Sequence, residues 1–488
     1  MRDARVMTGM KRLISTMAVF CCLLTFIGGP QAASAKPKNS YEITLKIEDG
    51  KDTMMMLGCY YARGNQVIDT AYRDSKGRFF FSGVDTLPWG LYFFANPAGN
   101  YVEFVVYKEK PFFTFETKED DWTTNMKVKG SKENDFFFDF HRIDGALTRD
   151  LMKKQRTLDS AAFEAYKRQE LLRLDSIKHD LIVRFPQRML SKMMLATAEN
   201  DTPEVDENGD SLTLNQRRDY YLHHYFDNLP LDDNFYVRTP KAVFYDRVMP
   251  FFDSYLKYAP PEVIKEFVDT VMRKALKAPD VFQYLVIRLT EKYLQSNVMV
   301  HDEVYVYLVQ NYFATSANFW SSPSGIEKEL IRANKWERLL VGHQAPELIL
   351  YDTLHHPHSL HAMPSRWKLL IFWSPNCGHC KHIIPKVYEI YMANREKYDL
   401  GVFAILSEPD DKTRVDWHNF LRDNGIDSPT WINLDGGEAN VDWHDVYDIT
   451  STPQIYLLDQ YNIIQAKKLS DGNLEQVLRA ICGSQEKQ

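Results

Sequence analysis

The most reactive chemistry in this sequence sits in four consecutive residues. Cys377-Gly378-His379-Cys380 places two sulfurs two residues apart, close enough to close a short disulfide ring with little backbone change. The run Lys368-Leu-Leu-Ile-Phe-Trp373 ahead of them is a buried-strand pattern, and Cys380–Lys397 has helical periodicity. A helix N-terminus holds unpaired N–H groups and a partial positive charge near the first sulfur. That favours a thiolate at Cys377, and the thiolate is the attacking species. A protonated His379 adds positive charge beside it, so His379 is expected to tune the Cys377 pKa. Cys380 lies one turn into the helix and suits the resolving role, attacking a mixed disulfide from inside.

Other uses of a Cys-x-x-Cys pair fit less well. A structural zinc site needs four ligands; Cys59 and Cys482 lie far away in sequence, and His379 and His382 are too close to the pair to complete one. Haem attachment places His directly after the second cysteine, where this chain has Lys381. A permanently closed structural disulfide is the third alternative, but the strand–turn–helix setting is that of redox work. Neither a metal nor a cofactor is expected. His355, His356, His358 and His361 read as a solvated turn rather than a metal loop. Consecutive Met54, Met55 and Met56 alternate faces of a strand and read as core. A bond between Cys59 and Cys482 is left open.

The elements that must position the pair form an α/β unit. Leu400–Leu406 reads as a strand, Asp411–Asn424 as a helix, Gln454–Leu458 and Ile463–Leu469 as strands, and Asn473–Cys482 as a closing helix. This order is a βαβ unit, an antiparallel pair and a final helix. Upstream, Tyr41–Ile47, Arg78–Ser82, Gly90–Ala95, Tyr101–Tyr107 and Phe112–Phe115 are short strand patterns separated by turn signals, which suggests a small antiparallel sandwich or barrel. Leu151–Phe185, Asn215–Phe226, Ala242–Tyr258, Pro261–Leu276, Val281–Ser296 and Asp302–Phe313 carry apolar residues at helical spacing. The expected fold class is therefore multidomain. A β-sandwich-like N-terminal domain covers 36–134, an α-helical middle domain 135–340, and a C-terminal α/β domain 341–488.

The C-terminal region resembles the thioredoxin superfamily. Phe372-Trp373-Ser-Pro-Asn-Cys377-Gly-His-Cys380 matches its active-site segment, and Pro385 its helix-kinking proline. Ser451-Thr452-Pro453, followed by Gln454-Ile-Tyr-Leu-Leu458, matches the segment that holds its cis-proline. Val341-Gly-His-Gln-Ala-Pro346 and Leu458-Asp459 look like the exported TlpA/ResA-type branch. The two upstream regions resemble, more weakly, modules without assigned chemistry that precede such domains in exported bacterial proteins.

The resemblance implies that Cys377 and Cys380 form a redox-active disulfide. It also implies that Pro453 is cis and that Thr452 and Pro453 dock an extended substrate segment. The partners it implies are protein thiols and disulfides, with a membrane electron donor or acceptor as redox partner. Three departures stand out. Ile371 occupies the place of a buried Asp in thioredoxins proper, Asn376 that of a Trp, and the inner dipeptide is Gly-His, as in protein disulfide isomerases. These leave dithiol chemistry intact and the direction of electron flow open. A thiolate stabilised by His379 makes the pair more oxidising than thioredoxin's. The alternative from another class is a non-catalytic binding or scaffold protein, against which the intact cysteine pair argues.

The N-terminus reads as an export signal over 1–35. Basic Met1–Arg12, apolar Leu13–Gly28 and small Gln31-Ala-Ala-Ser-Ala35 follow the cleaved-signal pattern, and the apolar run is short for a span of about 20 residues. The expected location is the periplasm, with association with the outer membrane as an alternative. Removing 1–35 takes Arg2, Arg5, Lys11, Arg12 and Asp3, which leaves 55 basic and 65 acidic residues, a net charge of −10. That excludes a generally basic nucleic-acid binder. A hydrophobic content of 44% with 26% charged residues excludes global disorder. The four cysteines left are too few for a disulfide scaffold.

Overall fold

The computed structural model describes residues 39–315 and 323–483; the expected export signal lies outside them. Alternation shapes the first strands. In β1 (Tyr41–Glu48), Tyr41, Ile43, Leu45 and Ile47 are buried and the residues between them are not, as a strand with one covered face requires. β2 (Met54–Tyr61), β3 (Gly64–Tyr72), β4 (Arg78–Gly83), β5 (Gly90–Ala95), β6 (Tyr101–Val106), β7 (Phe112–Lys118) and β8 (Lys127–Lys129) follow. They form two four-stranded sheets, β4-β1-β7-β8 and β3-β2-β5-β6. Rings join the sheets across the sandwich: Phe81 with Phe94 at 5.7 Å and Phe104 with Phe115 at 4.9 Å between centroids. One pairing departs from the antiparallel expectation, because β1 runs parallel to β7 with Leu45 opposite Phe115. The two strands are distant in sequence, so no hairpin imposes the antiparallel sense.

Where one helix is expected over Leu151–Phe185, the structure has two. α1 (Lys132–Gln155) begins inside the β-rich region, and α2 (Ser160–Arg184) restarts after a break. The Asp159 carboxylate accepts the Ala162 N–H at 2.9 Å and so caps α2 at the break. At the start of α1 the fully buried Asn134 joins helix to sheet. Its Oδ1 accepts the Val105 N–H at 2.7 Å and its Nδ2 donates to the Val105 carbonyl at 2.8 Å. Val105 lies on β6, an edge strand, and those backbone groups would otherwise be buried unpaired.

α3 (Met189–Thr197), α4 (Leu214–His224), α5 (Tyr245–Pro250), α6 (Pro261–Ala275), α7 (Pro279–Leu294), α8 (His301–Leu308) and α9 (Pro323–Arg338) complete the helical region. A single apolar cluster running from Tyr41 to Ala333 includes residues of both strands and helices. The β-rich and helical regions therefore pack around a common core.

The remaining elements are β9 (Ile349–Asp352), β10 (Pro357–Ser359), β11 (Trp367–Trp373), α10 (Gly378–Tyr398), β12 (Leu400–Leu406), α11 (Asp411–Asp423), β13 (Trp431–Ala439), α12 (Trp443–Val446), β14 (Gln454–Leu458), β15 (Ile464–Ala466) and α13 (Leu474–Ile481). The sheet order is β10-β9-β13-β12-β11-β14-β15, with β11 parallel to β12 and antiparallel to β14. Every residue of β11 is buried, because helices cover both faces of a sheet of this kind. Trp367, Leu369, Ile371 and Trp373 join the core that holds Cys380, while Leu370 and Phe372 join the core on the other face.

Charges bind the helical region to this α/β unit. Asp302, only 1% exposed, accepts ion pairs from Lys467 at 2.7 Å and Lys468 at 2.5 Å. Lys468 Nζ also donates to the Ser296 carbonyl at 2.6 Å, and Lys467 Nζ to the Leu339 carbonyl at 3.0 Å. Trp336 Nε1 donates to Asp448 at 2.7 Å, and Lys335 pairs with Asp445. Removing one partner of a buried ion cluster leaves uncompensated charge, at a cost of about 3–5 kcal/mol. Asp302→Ala should lower the stability of the chain by that amount, read from the midpoint of urea unfolding. An unchanged midpoint would mean that both lysines escape to solvent.

Candidate active site

The pair is delivered by β11 and held by the first turn of α10. After Trp373 the chain reverses through a turn closed by the Cys377 N–H donating to the Ser374 carbonyl at 3.2 Å. Cys377 is the N-cap of α10 with an extended backbone, and its Sγ accepts the Cys380 N–H at 3.4 Å. A sulfur takes the place of the usual capping oxygen. Cys377 is partly exposed, whereas Cys380 is fully buried. Both are free thiols, as are Cys59 and Cys482, which are buried in separate cores.

The loop before β14 closes the site from the other side. The Thr452–Pro453 peptide bond is cis. The Cys377 thiol donates to the Thr452 carbonyl at 3.3 Å, so Thr452, one of the two expected docking residues, lies in direct contact with the outer sulfur. His379 sits at the surface. Its backbone N–H, rather than its ring, is among the groups that act on Cys377.

The two thiols are electrostatically unlike. Partial burial works against a Cys377 thiolate, but hydrogen bonding from the Cys380 thiol and N–H, from Thr452 and from the His379 N–H outweighs it. The Cys377 pKa therefore falls below the ordinary thiol value. Burial pushes Cys380 up to about 12, and the neighbouring Cys377 sulfur adds to the shift against hydrogen bonding from Ser374 and Thr452. Ile371, in mid-strand between Ala404 and Ile455, brings no carboxylate to this layer.

Sequence reasoning missed the groups around the turn. Ser374 Oγ donates to Glu408 at 3.0 Å, and Asn376 Nδ2 donates to Thr413 Oγ1 at 3.1 Å. No signal in a single sequence joins residues 34 and 37 positions apart. Trp417 packs in the Cys380 core, whereas Trp443 stacks on Phe372 at 5.3 Å in the core of the opposite face. Of the four clustered histidines, His355 and His356 lie in the connection between β9 and β10, His358 on β10 and His361 in the turn after it. Asp352 binds His356 Nδ1 at 3.3 Å and His358 Nε2 at 3.0 Å, while His361 Nε2 meets the Ala345 carbonyl at 2.7 Å. Among the described residues no group of three or more His, Cys, Asp or Glu is arranged to hold a metal ion.

Comparison with known proteins places this geometry. Residues 366–464 match a family model described as thioredoxin-like. A domain of a possible thiol-disulfide isomerase from Cytophaga hutchinsonii is 32% identical over 30% of this chain and 97% of that one, with a TM-score of 0.28. Through this region the chain belongs to the thioredoxin superfamily. The thioredoxin-like domain is also 27% identical over 125 residues to the thiol-disulfide oxidoreductase ResA of Bacillus subtilis (strain 168), covering 25% of this chain and 64% of that protein. This chain thus spans less than two thirds of that relative. A thioredoxin-like protein from Bacteroides caccae is 20% identical over 58% of this chain and 99% of its own, with a TM-score of 0.47. Residues 41–137 and 189–334 match two domains of unknown function, DUF4369 and DUF5106.

The contrast between the thiols sets a pH order of reaction. A lowered pKa brings the Cys377 thiolate out at lower pH than in a free cysteine, while Cys380 stays protonated through the neutral range. Iodoacetamide applied to the reduced, folded protein at pH 7 should label Cys377 and spare Cys380, as peptide mass spectrometry can read. The rate–pH midpoint for Cys377 should lie below that of a free cysteine. Equal labelling of both would contradict the arrangement.

Proposed function

We propose that the chain is an exported thiol–disulfide oxidoreductase that exchanges disulfides with protein substrates through Cys377 and Cys380. One observation carries the reading. A partly exposed, thiolate-favouring sulfur lies against the Thr452 carbonyl, with a buried, protonated thiol one helical turn behind it. In the reducing direction the Cys377 thiolate attacks a substrate disulfide, forming a mixed disulfide and releasing one substrate thiolate. Cys380 loses its proton as its sulfur attacks Cys377 Sγ; the second substrate sulfur leaves as a thiolate, and the Cys377–Cys380 disulfide forms. In the oxidising direction the same steps run backwards. The substrate strand pairs with the backbone at Thr452 beside Pro453, as β-strand addition would place it. The ResA likeness supports the same chemistry, and the N-terminal pattern over 1–35 supports a periplasmic site of action.

The order of attack is testable. Cys380→Ser should accumulate mixed disulfides with client proteins, visible on non-reducing gels, because the first bond forms and cannot resolve. Cys377→Ser should trap none. Equal trapping by both variants would count against the assigned order of attack, and trapping by neither would favour the non-catalytic docking reading.

The direction of electron flow follows from the potential. Stabilising the thiolate favours the reduced dithiol, so titration against glutathione should give about −200 mV, between about −270 mV for thioredoxin and about −180 mV for protein disulfide isomerase. His379→Pro should move the value towards thioredoxin's. A wild-type potential at or below thioredoxin's would make the chain a reductase fed by a membrane electron donor.

A further inference from the structure

The turn that presents Cys377 is tethered at both ends to a single stretch of chain, the connection from β12 into α11. At its start, Ser374 Oγ accepts the Asn376 N–H at 3.2 Å and donates to Glu408 at 3.0 Å. At its end, the Asn376 amide reaches Thr413 Oγ1 at 3.1 Å. Asn376 is the residue directly before the outer cysteine.

Thr413 is built to receive it. The residue is 2% exposed and lies in the first turn of α11. Its N–H donates to the Asp410 cap at 2.8 Å. Its hydroxyl also hydrogen-bonds the Asp410 carboxylate. A hydroxyl that donates to a carboxylate is a better acceptor for a second donor. The chain of contacts therefore runs from Asp410 through Thr413 and Asn376 to the backbone of Cys377. The contact that favours the Cys377 thiolate, from the Cys380 nitrogen at 3.4 Å, is long enough that a small shift of the turn would break it.

We propose that Thr413 is a positioning residue for the dithiol: through Asn376 it holds the turn that keeps Cys377 Sγ against the α10 N-terminus and Thr452. The inference rests on the reading of Cys377 as the attacking thiol. Its test needs no substrate, so its failure and the failure of that reading are distinguishable. A tether that fails leaves mixed-disulfide trapping by Cys380→Ser intact, whereas a failed oxidoreductase reading abolishes trapping whatever Thr413 does.

The experiment is the iodoacetamide rate of Cys377 in the full reduced chain across pH 5–9. Thr413→Val keeps the shape and removes the hydroxyl. It should slow labelling at pH 7 by about three- to tenfold, the size of one hydrogen bond, and move the rate–pH midpoint upward. Thr413→Ser should restore the wild-type profile. Asn376→Ala approaches the same contact from the exposed side, so it tests the tether even if Thr413→Val fails to fold. It should match the valine variant, and the double variant should add nothing further. Wild-type profiles for Thr413→Val and Asn376→Ala would overturn the proposal. So would a serine variant as slow as valine, because the hydroxyl by itself would then not sustain the wild-type profile.

Discussion

A sulfur at the mouth of a helix gains from the helix only while the first-turn N–H groups point at it. In this chain that alignment is the constraint on which the site depends. Cys377 caps α10, so the sulfur and the helix that stabilises it are fixed by the same backbone angles. The fully buried β11 fixes where α10 begins. β14, hydrogen-bonded alongside β11, fixes where Thr452 meets the sulfur. Loss of register between these two strands would separate the outer sulfur from its docking edge before any side chain changed.

The same geometry makes two chemically identical residues behave differently. Burial alone separates them, since Cys380 has no solvent and Cys377 has some. The helix terminus adds to the difference, because its N–H groups converge on the first sulfur and turn away from the second. With Ile371 in the layer behind, the proposed exchange has Cys380 yield its proton without a carboxylate from β11. In that proposal the approach of Cys377 in the mixed disulfide supplies the driving force, through bond formation rather than through a standing base.

Much of this was legible in the residues. The βαβ unit and the cysteine turn are written in local patterns, such as the apolar run of β11 and the helical spacing of α10, which burial on both faces enforces. β13, α12 and the pair β9–β10 were not read, because Trp431–Ala439 contains Asp435-Gly436-Gly437, which looks like a turn although the strand carries it between β9 and β12. β2 was legible only in its opening Met54–Met56 run. Beyond that run the alternation is lost, because a bulge at Leu57–Gly58 shifts the register against β3. The break between α1 and α2 hinged on one cap, Asp159, within an otherwise periodic stretch. At the site, the cysteines and Pro453 were visible from spacing and resemblance. Glu408 and Thr413 were not, because they reach the turn only through the crossover of the fold. The His379 ring illustrates the limit of reading charge from sequence, since position on the helix decides which of its groups faces the sulfur.

The buried cluster of Asp302 with Lys467 and Lys468 bears on how such chains can be assembled by recombination. The carboxylate belongs to the helical region and both cations to the thioredoxin-like domain, so neither half is electrically complete alone. A thioredoxin-like domain spliced in from an unrelated chain would confront Asp302 with whatever follows its own last strand. Unless that segment carried two cations at the right height, the junction would bury a bare carboxylate. The two parts can be exchanged freely among relatives only as a matched set.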